Sequence, residues 1–123
     1  MEDKSALSGL KVLDFSHLLA GPFATQILGD YGATIYKIER AEVGDDYRRW
    51  HFFNKKVGGT QAATFLSWNR NKRSLAIDMK STKGKDLLYK MVKDCDVVTQ
   101  NFRPGVMNKL GFGFEDLKKI NPK

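Results

Sequence analysis

Short β-branched runs alternate along the chain with longer stretches in which apolar residues recur at helical spacing. The short runs predict four strands, at residues 11–15, 33–38, 74–78 and 96–100. Helical spacing or composition predicts five helices, at residues 23–31, 62–68, 82–93, 106–110 and 114–120. Since strands alternate with helices, the pattern predicts an α/β fold with a mainly parallel sheet.

Two of the predicted helices have a clear apolar stripe. The first is opened by Gly21-Pro22 and ended by Gly32, residues that suit the first turn and the C-terminal stop of a helix. Its apolar residues at helical spacing are Phe23, Ile27, Leu28 and Tyr31. The helix over 82–93 is amphipathic, and the residues expected to point inward are Leu87, Leu88, Met91 and Val92.

The end of the chain predicts an incomplete domain. Residues 120–123 follow directly on a helix, and the next element of an alternating fold would be a strand. We therefore expect the sequence to be the N-terminal part of something longer. Within it, residues 41–62 form a long polar connection of the kind that is usually functional.

Composition and charge exclude several classes of protein. The sequence has no apolar run of the length that a membrane span needs and no signal-peptide pattern, and one cysteine excludes a disulfide framework and a Cys-rich zinc site. A cytoplasmic location is the expectation, or the mitochondrial matrix if the source is eukaryotic. Residues 69–123 carry thirteen basic and six acidic side chains, so the whole net charge of +7 lies there and indicates an anionic partner.

Three cations follow strands of the predicted sheet. Arg40, Lys80 and Arg103 come after the second, third and fourth strands. Since ligands of open α/β sheets bind outside the carboxyl ends of the strands, these cations predict a site for a phosphate-rich ligand. The glycine-rich dinucleotide and P-loop signatures are absent, and Glu39, at the end of the second strand, is only a weak match to a ribose-binding acid.

The other chemically active residues are interpreted as structural. His17 and His51 lack a partner at a fixed spacing and are predicted to be polar loop residues. Cys95 lies beside two acids, which disfavour a thiolate, so we predict a structural role. The pair Asp45-Asp46 could act as a general base, but a solvated loop is the favoured interpretation.

Several segments together resemble the class III coenzyme A transferases, a family that includes carnitine–CoA transferase, formyl-CoA transferase and 2-methylacyl-CoA racemase branches. The matching segments, in order, are LKVLDF at 10–15, LAGPFAT at 19–25, GA at 32–33 leading to IER at 38–40, GDD at 44–46 with Arg48, NRNKRS at 69–74, DMK at 78–80, NFRPGV at 101–106 and LG at 110–111. Each motif is modest alone, but their order and spacing are specific.

The resemblance implies a Rossmann-like larger domain, an interlocked homodimer, and transfer of coenzyme A between an acyl-CoA and a carboxylic acid. In that family an aspartate attacks the thioester, which is covalent catalysis by a carboxylate. The resemblance places this aspartate beyond residue 123. Residues 1–123 would then be the N-terminal, CoA-binding part of the large domain, without the catalytic segment and small domain, and inactive alone. No catalytic residue, no metal and no tightly bound cofactor are expected here; coenzyme A or acyl-CoA is the substrate.

The resemblance also assigns CoA-binding residues. They are Leu19, Ala20, Arg40, Ile77, Asp78, Met79, Lys80, Asn101, Phe102, Arg103 and Lys109. Arg40 is suited to grip a phosphate bidentately, whereas Lys80 and Lys109 would act as point charges. Leu19 stands where some members carry a polar residue, so no polar contact is expected from its side chain.

Two alternatives stay open. The basic second half also fits a noncatalytic nucleotide- or RNA-binding module, although the aromatic strands that stack bases are missing. A racemase-type member of the same family is the other alternative, and the segment WNRNKRS at 68–74 weakly favours the transferase branch. The transferase interpretation expects neither nucleic acid nor a membrane as a partner.

Overall fold

The structure is a computed structural model that describes residues 5–50, 56–57 and 61–123. The strands are β1 Lys11–Asp14, β2 Thr34–Glu39, β3 Lys56–Val57, β4 Gln61–Ala62, β5 Lys72–Ala76 and β6 Val97–Thr99. The helices are α1 Ala20–Asp30, α2 Ala63–Ser67, α3 Thr82–Asp94, α4 Val106–Leu110 and α5 Phe114–Ile120, with a 3₁₀ turn at Asp46–Arg48. The predicted α/β class is confirmed.

Four strands form one parallel sheet in the order β5-β2-β1-β6. β1 lies between β2 and β6, with Lys11 opposite Thr34 and Val12 opposite Val97. β5 begins at Lys72, two residues before the predicted strand, because it pairs with β2 from Ile35 onward. The strands β3 and β4 form a separate antiparallel pair within the long connection.

Side chains alternate between the two faces of this sheet, and one face is apolar. Leu13 and Phe15 of the first strand segment and Ile38 of β2 are all buried there. Leu88 and Val92 of α3 and Phe112 beyond α4 cover them. This layer, which we call the apolar face, is the main core of the molecule.

The opposite side, which we call the polar face, buries charged side chains. Its fully buried members include Asp14 of β1 and Lys37 of β2. The Lys72 ammonium of β5 lies 3.4 Å from the Asp14 carboxylate, which also accepts hydrogen bonds from Thr25 at 2.6 Å and Thr99 at 2.9 Å. A small apolar cluster of Val12, Ala33 and Ile35 lies on the same side of the sheet, nearer the start of β1 and β2.

Helix α1 covers this polar face and is oriented accordingly. Its buried residues are Pro22, Thr25, Gln26 and Gly29. Of its apolar residues at helical spacing, Phe23, Ile27 and Tyr31 lie outside and are 44%, 40% and 58% exposed. Leu28 is half-buried and packs against a small buried apolar cluster. The helix also begins at Ala20 rather than Phe23, so Pro22 lies inside its first turn.

Helix α3 follows its prediction more closely. Leu88 and Val92 are buried and Met91 is half-buried, as predicted. Leu87 was also predicted to point inward, but it is 48% exposed and lies outside the core. Leu87 lies at the edge of the apolar stripe of α3. Consecutive residues of a helix point in different directions, so Leu87 is exposed although Leu88 is buried. The helix is capped by Ser81, whose hydroxyl accepts a hydrogen bond from the Gly84 N–H at 3.0 Å.

Candidate functional site

A cleft of about 570 Å³ opens at the carboxyl ends of the strands; we call it the main cleft. Each strand of the large sheet delivers residues to this edge, as expected for an open α/β sheet. The residues that line it are His17, Ile38, Glu39, Arg40, Ala41, Glu42, Val43, Ile77, Asp78, Met79, Lys80, Phe102 and Leu110.

A smaller cleft of about 260 Å³ adjoins the main cleft. Both clefts are lined by His17, Arg40 and Phe102, which makes them parts of one depression. The residues that line only the smaller cleft are Leu18, Asp46, Asn101 and Arg103.

The structure brings together most of the predicted CoA-binding residues. The main cleft contains six of them: Arg40, Ile77, Asp78, Met79, Lys80 and Phe102. Asn101 and Arg103 line the smaller cleft. Three lie outside both clefts: Leu19, Ala20 and Lys109, of which Lys109 immediately precedes the cleft residue Leu110.

Arg40 presents a half-exposed guanidinium to both clefts. It forms an ion pair with Asp46, and its Nε lies 3.4 Å from the Gly44 carbonyl oxygen. Both members of the ion pair are more than half exposed, so water and salt weaken it. A guanidinium has five N–H donors, and those not used by Asp46 and Gly44 can serve an incoming anion.

The part of the main cleft formed by residues 77–80 is shaped by local hydrogen bonds. The Asp78 carboxylate accepts the Lys80 N–H at 2.9 Å, and the Ser81 hydroxyl donates to the Asp78 carbonyl oxygen at 3.0 Å. Gly84 presses against the same carbonyl so closely that a Cβ at position 84 would overlap it. The exposed ammonium of Lys80 is therefore carried by a well-defined turn at the start of α3.

His17 was missed by the sequence reasoning, which assigned it to a polar loop. Its ring lies against Phe102 with 5.4 Å between the centroids, and its Nδ1 is 3.9 Å from the Asp45 carboxylate. Burial lowers the pKa of His17 below its usual value, and the nearby charges of Asp45, Lys37 and Arg40 partly offset one another. The signal that could have identified His17 is its place just after the first strand, at the carboxyl edge.

The prediction that Asp45 lies in a solvated loop is wrong. Asp45 is fully buried, and its carboxylate lies 2.8 Å from the equally buried Lys37 ammonium. Its neighbour Asp46 is exposed and pairs with Arg40. The sequence could not reveal this difference, because the partner of Asp45 comes from a strand interior where a lysine is unexpected.

Glu39 is held in a way that leaves the ribose-binding role without support. Its carboxylate is bound by Arg48 through two contacts of 2.6 Å, by the Ser74 hydroxyl at 2.6 Å and by the Asp45 N–H at 2.9 Å. Burial alone would raise its pKa, but these hydrogen bonds outweigh burial and lower the pKa of Glu39 to about 2. Glu39 is thus an ionised structural anchor at the end of β2.

The remaining candidates give no second site. Cys95 is buried and burial raises the pKa of its thiol, as expected for a structural cysteine. His51 lies outside the described residues. Among residues 5–50, 56–57 and 61–123 there is no group of three acidic, histidine or cysteine side chains able to hold a metal ion. No helix in the same part of the chain is long and apolar enough to cross a membrane.

Comparison with known proteins gives consistent matches. Residues 7–123 match the model of CoA-transferase family III. The chain is 43% identical to an acyl-CoA transferase of Fusarium pseudograminearum over 98% of its length, and 42% identical to succinyl-CoA:glutarate CoA-transferase of Homo sapiens over 99%. It spans 27% of the length of each of these relatives.

A solved structure also matches. A CAIB/BAIF family protein from Brucella suis superposes with a TM-score of 0.88 at 40% identity, over 97% of this chain and 32% of that one. The fold described above is therefore shared with a crystal structure of which this chain corresponds to about a third.

Proposed function

The chain belongs to CoA-transferase family III, and from that premise we propose that it supplies the CoA-binding surface of an enzyme that transfers coenzyme A between carboxylic acids. The chain spans about a quarter of its curated relatives, so transfer itself is assigned to the longer protein. We place the catalytic aspartate of that protein outside residues 1–123.

The observation that carries the proposal is the shared position of Arg40 and Lys80 in the main cleft. A 3′-phosphate of coenzyme A carries about −1.5 to −2 charges at neutral pH, as phosphate monoesters do. Arg40 can bind such a group bidentately, whereas Lys80 adds an ammonium beyond the end of the neighbouring strand β5. Two cations converging on one depression fit a phosphorylated ligand better than a protein or an apolar molecule.

Part of the wall of the main cleft is apolar. Ile77, Met79 and Phe102 contribute to it, and Ile77 and Phe102 are buried and half-buried respectively. A planar base needs such a surface on its faces and main-chain groups at its edge. We therefore assign the adenine to this wall, beside the main chain of residues 77 and 101, and the phosphates to Arg40 and Lys80.

Transfer in the longer protein would begin with attack of a carboxylate on the acyl-CoA thioester. The carboxylate oxygen bonds to the acyl carbon, the carbon–sulfur bond breaks, and the CoA thiolate leaves, which gives an acyl anhydride. The role assigned to this chain is to keep the released thiol bound by its nucleotide end until it attacks again. The assembly proposed for the longer protein is the homodimer of its family, and a racemase-type reaction on the same acyl-CoA is the second branch.

Calorimetric titration of coenzyme A into the 123-residue chain tests the proposal. We expect Arg40→Ala to weaken binding by roughly 10- to 100-fold, since a charged hydrogen-bonding group contributes about 1.5–3 kcal/mol. Arg73→Ala is the matched control, because Arg73 is exposed on β5 and lines neither cleft. Unchanged affinity of the Arg40 variant would refute the assignment.

Dephospho-CoA, which lacks the 3′-phosphate, sharpens the test. If Arg40 binds that phosphate, dephospho-CoA should bind the unaltered chain more weakly and should lose little further affinity on Arg40→Ala. A single-stranded RNA that binds tightly, with a steep salt dependence and no competition from coenzyme A, would instead support the RNA-binding alternative.

A further inference from the structure

The two consecutive peptide groups that join residues 16, 17 and 18 after β1 are held by side chains from distant parts of the chain. The Lys37 ammonium donates to the Ser16 carbonyl oxygen at 2.9 Å. The Asn101 amide bonds both sides of His17, accepting from its N–H at 2.9 Å and donating to its carbonyl at 2.7 Å. The Asp45 carboxylate accepts from the Leu18 N–H at 3.2 Å. Segment 16–18 is thus fixed from three directions.

The segment contains a strained residue. Leu18 has φ = 65°, in the left-handed region, which costs a residue with a branched apolar side chain roughly 1–2 kcal/mol. Such a conformation persists only where its surroundings enforce it, and it often marks a functional position. Here it lies between His17, which lines both clefts, and the start of α1.

The buried ion pair shows that the restraint is built into the fold. Lys37 and Asp45 are both inaccessible to solvent, and Asp45 is itself held by the bond from its N–H to Glu39. Burying two charges is unfavourable unless both are paired and hydrogen-bonded. A surface loop needs no such arrangement to stay folded, so the cost indicates that the exact position of segment 16–18 matters.

We propose that Lys37, Asp45 and Asn101 are positioning residues that hold the left-handed turn at Leu18 and thereby place His17 in the cleft. This inference rests on the proposed function of the cleft. In this proposal the Asn101 side chain acts indirectly, through its hydrogen bonds to the His17 backbone. Any direct contact between Asn101 and a ligand is assigned to its main chain.

A double-mutant comparison tests the role of Asn101. Glycine adopts φ > 0 without strain, so a Leu18→Gly background needs less support from the surrounding side chains. We expect Asn101→Ala to weaken CoA binding about 10-fold in the unaltered chain and less than 3-fold in the Leu18→Gly chain. An equal loss in both backgrounds would mean that the Asn101 side chain contacts the ligand directly, which overturns the inference. Asn108→Ala, on an exposed part of α4 outside both clefts, is the matched control.

A second measurement needs no ligand. The Cα and Cβ chemical shifts of Leu18, read by NMR, report the sign of φ in the free protein. Asn101→Ala and Asn101→Gln should both move these shifts away from left-handed values while urea denaturation shows an intact fold; unchanged shifts would overturn the inference. If the unaltered chain fails to bind coenzyme A, the proposed function falls and the shifts still decide whether Asn101 positions Leu18.

Discussion

The apolar and polar faces of the sheet are buried to a similar degree but are held by different interactions. On the apolar face, Phe15 packs on Phe112 with 5.5 Å between ring centroids, and Leu88 of α3 fills the space beside them. On the polar face, equally buried positions are occupied by Asp14 and Lys37. Both faces arise from one alternation along β1 and β2, in which neighbouring residues point to opposite sides.

The two faces make different contributions: the apolar face mainly stabilises the sheet, and the polar face positions the loops of the site. The hydrophobic effect is non-directional, so the apolar face contributes mainly to the stability of the sheet. Hydrogen bonds and ion pairs are directional, and those of the polar face extend to the loops of the site. Lys37 reaches Ser16, and Glu39 reaches Arg48. The polar face therefore holds loops at the edge of the cleft, whereas Ile38 and Ile77 of the apolar core line the cleft itself.

Phe15→Ala is expected to have the largest effect on stability. Truncating a fully buried phenylalanine removes its contacts and leaves a cavity, at a cost of about 3–5 kcal/mol. Urea denaturation measures the loss, and Phe114→Ala, at a position 73% exposed, is the control expected to stay within about 0.5 kcal/mol. A small loss from Phe15→Ala would contradict the role given to the apolar face.

Acid should weaken the polar face selectively. Because the pKa of Glu39 is lowered from 4.5 to about 2, its ionised form contributes stability that is complete above about pH 5 and is lost as the pH falls towards 2. We expect the stability difference between the unaltered chain and Glu39→Gln to shrink by about 2 kcal/mol between pH 6 and pH 2. The measurement is urea denaturation across this range, with Glu115→Gln, an exposed position on α5, as the control. A difference that does not change with pH would show that the Arg48 and Ser74 contacts contribute nothing to folding.

Ile27→Gln should have the smallest effect. Ile27 belongs to the apolar stripe of α1 but is 40% exposed, and the helix packs on the polar face through Thr25, Gln26 and Gly29. The change in unfolding free energy should stay within about 0.5 kcal/mol. A loss of 2 kcal/mol or more would mean that Ile27 is tightly packed, contrary to its exposure in the structure.

The sequence predicted the elements well wherever the signal was local. Four β-branched runs became the four strands of the parallel sheet, and the amphipathic pattern of 82–93 became α3. The first helix illustrates the limit. Its apolar residues also recur at helical spacing, but the side through which a helix packs depends on the layer beneath it. No local pattern revealed that β1 and β2 bury charges there.

The site was predictable only in part for the same reason. The rule that ligands bind at the carboxyl ends of parallel strands brought Arg40 and Lys80 to one cleft before any geometry was available. Leu19, Ala20 and Lys109 lie outside both clefts, and their CoA-binding roles were carried over from a family and stay predictions. Asp45 could not be interpreted correctly from the sequence, because its burial depends on an ion pair with Lys37, eight residues earlier. The burial of Lys37 depends in turn on how the sheet packs, which no local pattern reveals.

The contact between Gly84 and the Asp78 carbonyl has a consequence for how this sequence can vary. Inside a helix, glycine is less favourable than alanine by about 0.8–1.0 kcal/mol, so drift towards greater helix stability would replace it. Here a methyl group would have to push the carbonyl oxygen of the preceding loop out of place. Glycine at position 84 is therefore required by a contact outside the helix. Replacing it with alanine would suit the helix itself but would deform the loop that carries Lys80.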